Sequence, residues 1–415
     1  MNIDQSSTRP AATLCMAQLF KTAFDGGDLK PLRAVLAARL AAAPADAGTR
    51  MNLCVVDQLL GDPAGGLQRQ GEALRLQRLY QPSWPASRQA LRVLALMAPG
   101  GVGDNMPIEF LLEDRDVALV ALYLVPGEAI PAKLPDHDVA IVAADMSDAN
   151  RLLLEQIESR APAWPRPLLN RSSRLPLLMR ERMFHALAGI PGVVMPPTLR
   201  VPRAALEQLA GGVAAGALGP GMALPLIARP VGSHGGRGLV RFDTAADVAA
   251  GLAAEPAAEF YLSPFIDYSG PGGVYRKYRI MMVDGQAYPC HMAIGGEWKL
   301  WYHNADMAAS AEKRAEEDAF MTGFEGGFGR RHGAALAAMA ERIGLEYWGI
   351  DCAETAAGEL LLFEGSTCLA AHAMDSPQMF PYKRPAMRRL FAAFEAMLRR
   401  QSGVPAASAA RCATL

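Results

Sequence analysis

Leu226–Phe242 reads LIARPVGSHGGRGLVRF. An apolar run carrying Arg229 enters a loop that holds Gly232, Gly235, Gly236 and Gly238, and a second apolar run leaves it. Two strand-like segments joined by such a loop form a flap. Glycines let backbone N–H groups approach phosphate oxygens with no side chain in the way, and Arg229 adds a cation on the adjoining strand. The plain alternative is a surface hairpin with a glycine-rich tip.

A second segment, YWGIDCAETAAGELLLFEGST (Tyr347–Thr367), predicts two antiparallel strands. The first ends near Ala353 and the second runs from Glu359 to Phe363, turning through Ala356, Ala357 and Gly358. Asp351 and Glu364 stand toward opposite ends of that hairpin, which can fold them over one site. Two hard carboxylates there would hold Mg²⁺ in part and leave positions for phosphate oxygens. Two solvated acids at strand ends are the alternative for this hairpin taken by itself.

The order of basic strand, glycine-rich flap, hinge, arginine strand and D…E-x-(N/S) hairpin resembles the ATP-grasp superfamily. It is most similar to the glutathione synthetase and ribosomal protein glutamate ligase branch, over roughly residues 168–398. RERMFHALAGIPGVVMPPT (Arg180–Thr198) resembles the opening helix and strand, with Arg182 where the family often has a nucleotide-contacting cation. Arg229 stands in the family's lysine position, followed by Ser233, Gly235, Gly236 and Gly238 in the flap. FYLSPFIDY (Phe260–Tyr268) resembles the adenine hinge, which implies nucleotide contacts at Ser263, Phe265, Ile266 and Asp267. Pro264 has no N–H to offer, so Phe265 or Ile266 would donate to the base. YRKYRIMMVDGQAYPCHMAI (Tyr275–Ile294) resembles the strand pair whose arginine, here Arg279, faces the transferred phosphate. The metal triplet E-x-N is Glu364-Gly365-Ser366, implying Asp351, Glu364 and Ser366 or a water around Mg²⁺. Both phosphate-facing lysines are arginines, which keep the charge and add a planar fork.

Histidines and aromatics near these segments supply further candidates. His234 lies inside the flap, where it would contact phosphate or cap the closed site, or face solvent. His291, His303 and His372 fall near the expected cleft, and WKLWYHN (Trp298–Asn304) reads as a substrate wall with Trp301 and Asn304 facing the ligand. Lys383, in Tyr382-Lys383-Arg384, would clamp a carboxylate or simply open a helix. The run Glu312–Asp318 (EKRAEED) reads as a solvated helix face.

Upstream, four helix-periodic segments between Ala11 and Gln81 are punctuated by Gly26-Gly27, Pro44 and Asp62-Pro63. Paired helices at about forty-residue spacing resemble a short tetratricopeptide-type array. A small helical bundle is the other reading. Two helix pairs rarely stand by themselves, so docking or dimerisation is implied, with a peptide or protein partner in the groove. From LRVLALMAPGG onward, DVALVALYL (Asp116–Leu124) and HDVAIVAA (His137–Ala144) alternate with helical pieces as a small parallel α/β unit. The resemblance makes it the Rossmann-like domain that precedes the nucleotide domain, with Gly100–Asn105 touching substrate. The expected layout is an α/β (α+β) ATP-grasp fold: helical domain 1–82, Rossmann-like domain 88–167, ATP-grasp domain 168–400 and a flexible tail 401–415.

Composition bounds the rest. A net charge of −1 over 415 residues gives no electrostatic footprint for nucleic acid or an anionic membrane. No apolar run approaches the length needed to span a bilayer, and the N-terminus lacks a signal pattern. Six scattered cysteines with no C-x-x-C pair read as reduced thiols. The expectation is a cytoplasmic enzyme that joins a small-molecule or peptide carboxylate to an amine, using ATP and Mg²⁺ and passing through an acyl phosphate. Two readings stay open beside it: a phosphotransferase with a hydroxyl acceptor, and a noncatalytic nucleotide-binding scaffold.

Overall fold

The computed structural model describes residues 9–233 and 235–404. The chain is mixed α/β, built on three sheets. Its first part runs β1 (Ala11–Thr13), α1 (Met16–Phe24), α2 (Lys30–Ala42), α3 (Ala47–Leu59), α4 (Pro63–Leu76), β2 (Leu79–Pro82), β3 (Leu91–Met97), α5 (Ile108–Leu111), β4 (Val117–Tyr123), β5 (Val139–Val142), α6 (Arg151–Arg160) and β6 (Leu168–Leu169). These strands make one sheet in the order β1-β2-β4-β3-β5-β6. LRVLALM and VAIV are near-continuous apolar runs because they pair in parallel at the centre, covered on both faces.

The helix starts follow local chemistry. Asp46 caps α3 by accepting the Thr49 N–H at 2.9 Å, and Asp62 caps α4 by accepting that of Gly65 at 2.9 Å. Within the helices Asp57 is 1% exposed and lies 2.5 Å from both Arg33 and Arg69, tying α2, α3 and α4 together. One local expectation is corrected. Ala11–Thr13 and Leu79–Pro82 are strands rather than helix ends, and β1 pairs with β2. Strands this short leave no period to read. Tyr80 decides the second one, being 2% exposed and edge-on to Tyr123 at 5.7 Å. The helices are therefore a long insertion between two neighbouring strands of the sheet.

The second part comprises α7 (Arg180–Leu187), β7 (Val193–Val194), β8 (Leu199–Pro202), α8 (Arg203–Ala210), β9 (Leu226–Pro230), β10 (Val240–Phe242), α9 (Ala245–Ala254) and β11 (Glu259–Pro264). Strands β10-β9-β11-β8 form an antiparallel sheet with its own apolar core, including Leu206, Leu226, Val248 and Leu262. The third part holds β12 (Ser269–Gly270), β13 (Val274–Val283), β14 (Gln286–Gly295), α10 (Ala311–Thr322), α11 (Phe328–Ile343), β15 (Tyr347–Glu354), β16 (Leu360–Ser366) and α12 (Lys383–Ser402). Its sheet runs β12-β13-β15-β16-β7, with β14 along the other edge of β13. One apolar core joins this sheet to the first, from Leu94 and Ile141 to Ile280, Trp348 and Phe394. Among the described residues no helix is long and apolar enough to cross a membrane.

Asn170 ties the two large sheets. Fully buried just after β6, it accepts the Tyr347 N–H at 3.0 Å and donates to the Tyr347 carbonyl at 2.7 Å. Its own N–H donates to Glu346 at 2.6 Å. Its φ of 51° suits Asn better than most residues. Asn170→Ala should lower unfolding free energy by about 2 to 4 kcal/mol, because it strands two buried backbone groups. Urea denaturation followed by circular dichroism measures this, and a loss below about 1 kcal/mol would refute the tie.

Candidate functional site

Three strands of the third sheet bring one row of charge together. Arg279 on β13 registers with Asp351 on β15, and Asp351 with Glu364 on β16. The registers slip at this row, between Arg279 and Ile280 and between Asp351 and Cys352. Bulges re-aim side chains, and here both flank the charged residues. Arg279 donates to both oxygens of Asp351, at 2.7 and 3.0 Å. Lys277, two residues earlier and so on the same face of the strand, lies 2.7 Å from the same carboxylate. Arg180, opening α7, pairs with Glu364 and donates to the Phe363 carbonyl at 2.8 Å. Arg229 on β9 stands 3.8 Å from Glu364.

Electrostatics follow from that crowding. Burial raises the Asp351 carboxyl, but Arg279 and Lys277 outweigh it and hold the group below the usual carboxylate range. Glu364 is lowered likewise, with burial and Asp351 opposed by Arg180, Lys277 and Arg229. Arg229 is pushed down to about 10, first by burial and then by Arg180. Four cations face two carboxylates, so the row carries a positive surplus suited to a polyanion.

This row floors a cavity of about 780 Å³ that reaches the second sheet on one side and the first on another. The β9–β10 loop forms its lid. Gly232, Gly235, Gly236 and Gly238 all have positive φ, from 62° to 76°, and Arg229 donates to the Ser233 carbonyl. A Cβ on Gly236 would sit 3.1 Å from the Trp301 ring, so lid and aromatic wall touch through the missing side chain. Ile227, Tyr261, Ser263, Phe265 and Ile266 line the end beside β11. Asp104 and Asp145 come from loops after the parallel strands, where open α/β sheets bind ligands, and Asp148 reaches Arg200 on β8 at 2.7 Å. Burial, with Asp104 and Glu364 nearby, pushes Asp145 up to about 6.

Of the residues singled out in the sequence, Arg229, Ser233, Gly235, Gly236, Ser263, Phe265, Ile266, Arg279, Trp301, Asp351, Glu364 and Ser366 line the cavity. Phe265 lends no N–H to it, since that group donates to the Pro225 carbonyl at 2.8 Å. The Ser366 hydroxyl accepts the Cys368 N–H at 2.9 Å. Arg182 stays outside the lining. Residues two apart on a helix do not share a face, so Arg180 reaches Glu364 instead. Gly238 packs its bare Cα against Pro230, where a Cβ would lie 2.7 Å from the ring. Asp267 accepts the Ser269 N–H at 2.9 Å, and Asn304 caps the turn at Trp301 at 2.9 Å.

His291, His372 and Lys383 also stand outside the lining, behind the wall. Lys383, 3% exposed, lies 3.3 Å from Glu317 and 3.4 Å from Asp375. Glu317 accepts the Tyr302 and Tyr382 hydroxyls at 3.0 and 2.7 Å. The supposedly solvated run 312–318 thus contains a fully buried acid. His291 lies tilted against Tyr302, ring centres 4.9 Å apart, and burial and then Arg279 hold it neutral. His372 lies against Phe24 and Phe110 and 4.0 Å from Asp375. These side chains satisfy one another in the interior. His234 lies outside the described residues. Lys277, Arg180 and Asp145 were missed. The two-residue period would have flagged Lys277, and the strand-end rule Asp145.

No protein-family model matches the chain, and no curated protein matches it. Solved structures similar to it include a RimK domain protein ATP-grasp from Sphaerobacter thermophilus, 13% identical over 74% of this chain and 99% of that one, TM-score 0.42. VanG D-Ala:D-Ser ligase from Enterococcus faecalis is 11% identical over 74% and 99%, TM-score 0.45. D-alanine–D-alanine ligase from Bacillus anthracis complexed with ATP is 13% identical over 75% and 97%, TM-score 0.42. At these identities and scores the likeness says nothing of this chain's substrate or reaction.

Two outcomes test this geometry. Gly236→Ala forces a side chain onto Trp301 at a φ of 72° and should quicken amide exchange over residues 235–240 about fivefold or more. Exchange followed by mass spectrometry reads it, and an unchanged rate would sink the contact. Asp351→Asn leaves Arg279 and Lys277 without their counter-charge and should cost about 3 to 5 kcal/mol. Because Asp351 titrates below its ordinary value when folded, its contribution is full above that value and lost in more acidic solution. Wild-type stability should therefore fall as pH drops below roughly 4, and the variant's should fall less.

Proposed function

We propose that the chain is an ATP-grasp ligase that joins a carboxylate to an amine with release of ADP and phosphate. The observation that carries this reading is the Arg279–Asp351–Glu364 row, with Lys277, beneath a glycine-rich lid in one cavity. A polyphosphate would sit between the cationic floor and the backbone of residues 232–233 and 235–238. The base would lie toward β11, with Ile266 as the backbone donor left to it.

The donor set suits a divalent ion only in part. Among the described residues no three His, Cys, Asp or Glu side chains converge. Asp351 and Glu364 offer oxygens from adjacent strands, which fits Mg²⁺, an ion that keeps water and phosphate oxygens in its shell. Bound there, it would neutralise phosphate charge and favour transfer.

Arg229 and Arg180 would hold the phosphates, and Arg279 the group in transfer. The substrate carboxylate attacks the γ-phosphorus as the bond to ADP breaks, giving an acyl phosphate. The amine then attacks the acyl carbon, phosphate leaves, and the amine proton is released. Such transfer rests on positioning and electrostatics more than on a protein base. The carboxylates Asp104 and Asp145 line the wall contributed by the first sheet, which suits an amine approaching the acyl group from that side. The lid keeps water from the intermediate.

The decisive assay supplies MgATP with pools of amino acids and small carboxylic acids, and hydroxylamine as trap. Hydroxamate with one pool is expected. A stable phosphoester would make the chain a phosphotransferase, and ATP binding without ADP in any pool would make it a scaffold. Arg279→Ala should lower kcat by about a hundredfold or more while the Kd for ATP changes far less.

A further inference from the structure

The inserted helices reach the cavity through two glutamines. Gln70 on α4, 6% exposed, donates to the Gly100 carbonyl at 2.9 Å and accepts the Gly100 N–H at 2.8 Å. Its amide thus pairs with Gly100 as a neighbouring strand would. Gln58, on α3, accepts the Val102 N–H at 3.1 Å, and its own amide donates to the Cys54 carbonyl at 3.3 Å. From the other side Asp104 accepts the Gly101 N–H at 2.7 Å. A Cβ on Gly100 would lie 2.8 Å from the Asp104 carboxylate, so the loop is folded tightly on itself. Its far limb, Gly103 and Asp104, lines the cavity, and the Asp104 carbonyl accepts the Asp145 N–H at 3.3 Å.

We infer that Gln58 and Gln70 are positioning residues through which the helical insertion sets the acceptor end of the cavity. They act on the 100–104 loop and touch neither nucleotide nor reacting atoms. The inference rests on the ligase reading for its kinetic consequence, while the loop restraint itself is measurable without turnover. Every bond involved is a polar one at the surface of an already packed helix pair, held independently by the Asp57 ion pairs. Removing a glutamine therefore frees the loop and leaves the helices standing.

The test uses full-length Gln70→Leu, Gln58→Leu and Gln58→Glu, the last of which keeps an acceptor for the Val102 N–H. Amide exchange over 100–104 should quicken about tenfold or more in both leucine variants. It should stay near wild type in Gln58→Glu, with α3 and the 226–242 segment unchanged in all three. With the acid pool that yields hydroxamate, KM for hydroxylamine should rise about tenfold in the leucine variants while KM for MgATP stays within about twofold. Unchanged loop exchange overturns the restraint. Faster loop exchange with an unchanged KM for hydroxylamine, or equal rises in both KM values, overturns the acceptor role. A wild-type protein that binds MgATP yet forms no hydroxamate refutes the ligase reading instead.

Discussion

The carboxylate of Asp351 is the constraint on which the rest of the site depends. It is buried in the middle of a sheet and takes the full fork of Arg279 and the ammonium of Lys277. A charge in that position survives only when it is paired and hydrogen-bonded. The pairing in turn requires β13 and β15 to stay in register, as they do without a slip, while the bulge beside Arg279 falls at Cys290 on β14. Glu364 then stands beside Asp351 and draws Arg180 and Arg229 inward from two other elements. The cluster is thus assembled from four strands and one helix, and each element is held where its charge is answered.

Much of this was readable from residue order. The flap glycines announced themselves by number and spacing, and the hairpin carrying Asp351 and Glu364 by alternation around a small-residue turn. What escaped was anything that depended on which way a helix faces or what closes behind a wall. The motif pointed to Arg182 and passed over Arg180, because a motif gives a neighbourhood, not an azimuth. His291, His372 and Lys383 looked like ligands because polar residues near a cleft look alike in sequence. Only the folded chain reveals Glu317 opposite Lys383, where it also accepts the N–H of Met292 on β14, twenty-five residues away in sequence. The edge strands β1 and β2 were hidden for a different reason, being too short to show any period.

The placement of the helices changes how the first half of the chain is understood. They sit between two strands that pair with each other, so the sheet closes over both ends of the insertion. A groove-forming array would present its inner face to a partner. Here α3 buries most of its length inside the protein. Its apolar residues Leu53 and Val56 form one cluster with α1 and α2, and Met51 and Cys54 another with Tyr80.

The antiparallel sheet of β8 to β11 keeps an apolar core separate from the one that unites the other two sheets. Free energy for holding that sheet together is therefore largely internal to it. Tilting it as a body parts Arg229 from Glu364 but leaves the pairs of Asp351 with Arg279 and Lys277, and the core beneath them, unbroken. The lid can swing on a stiff plate rather than fray, and the thermal cost of each opening is confined to the contacts along its rim.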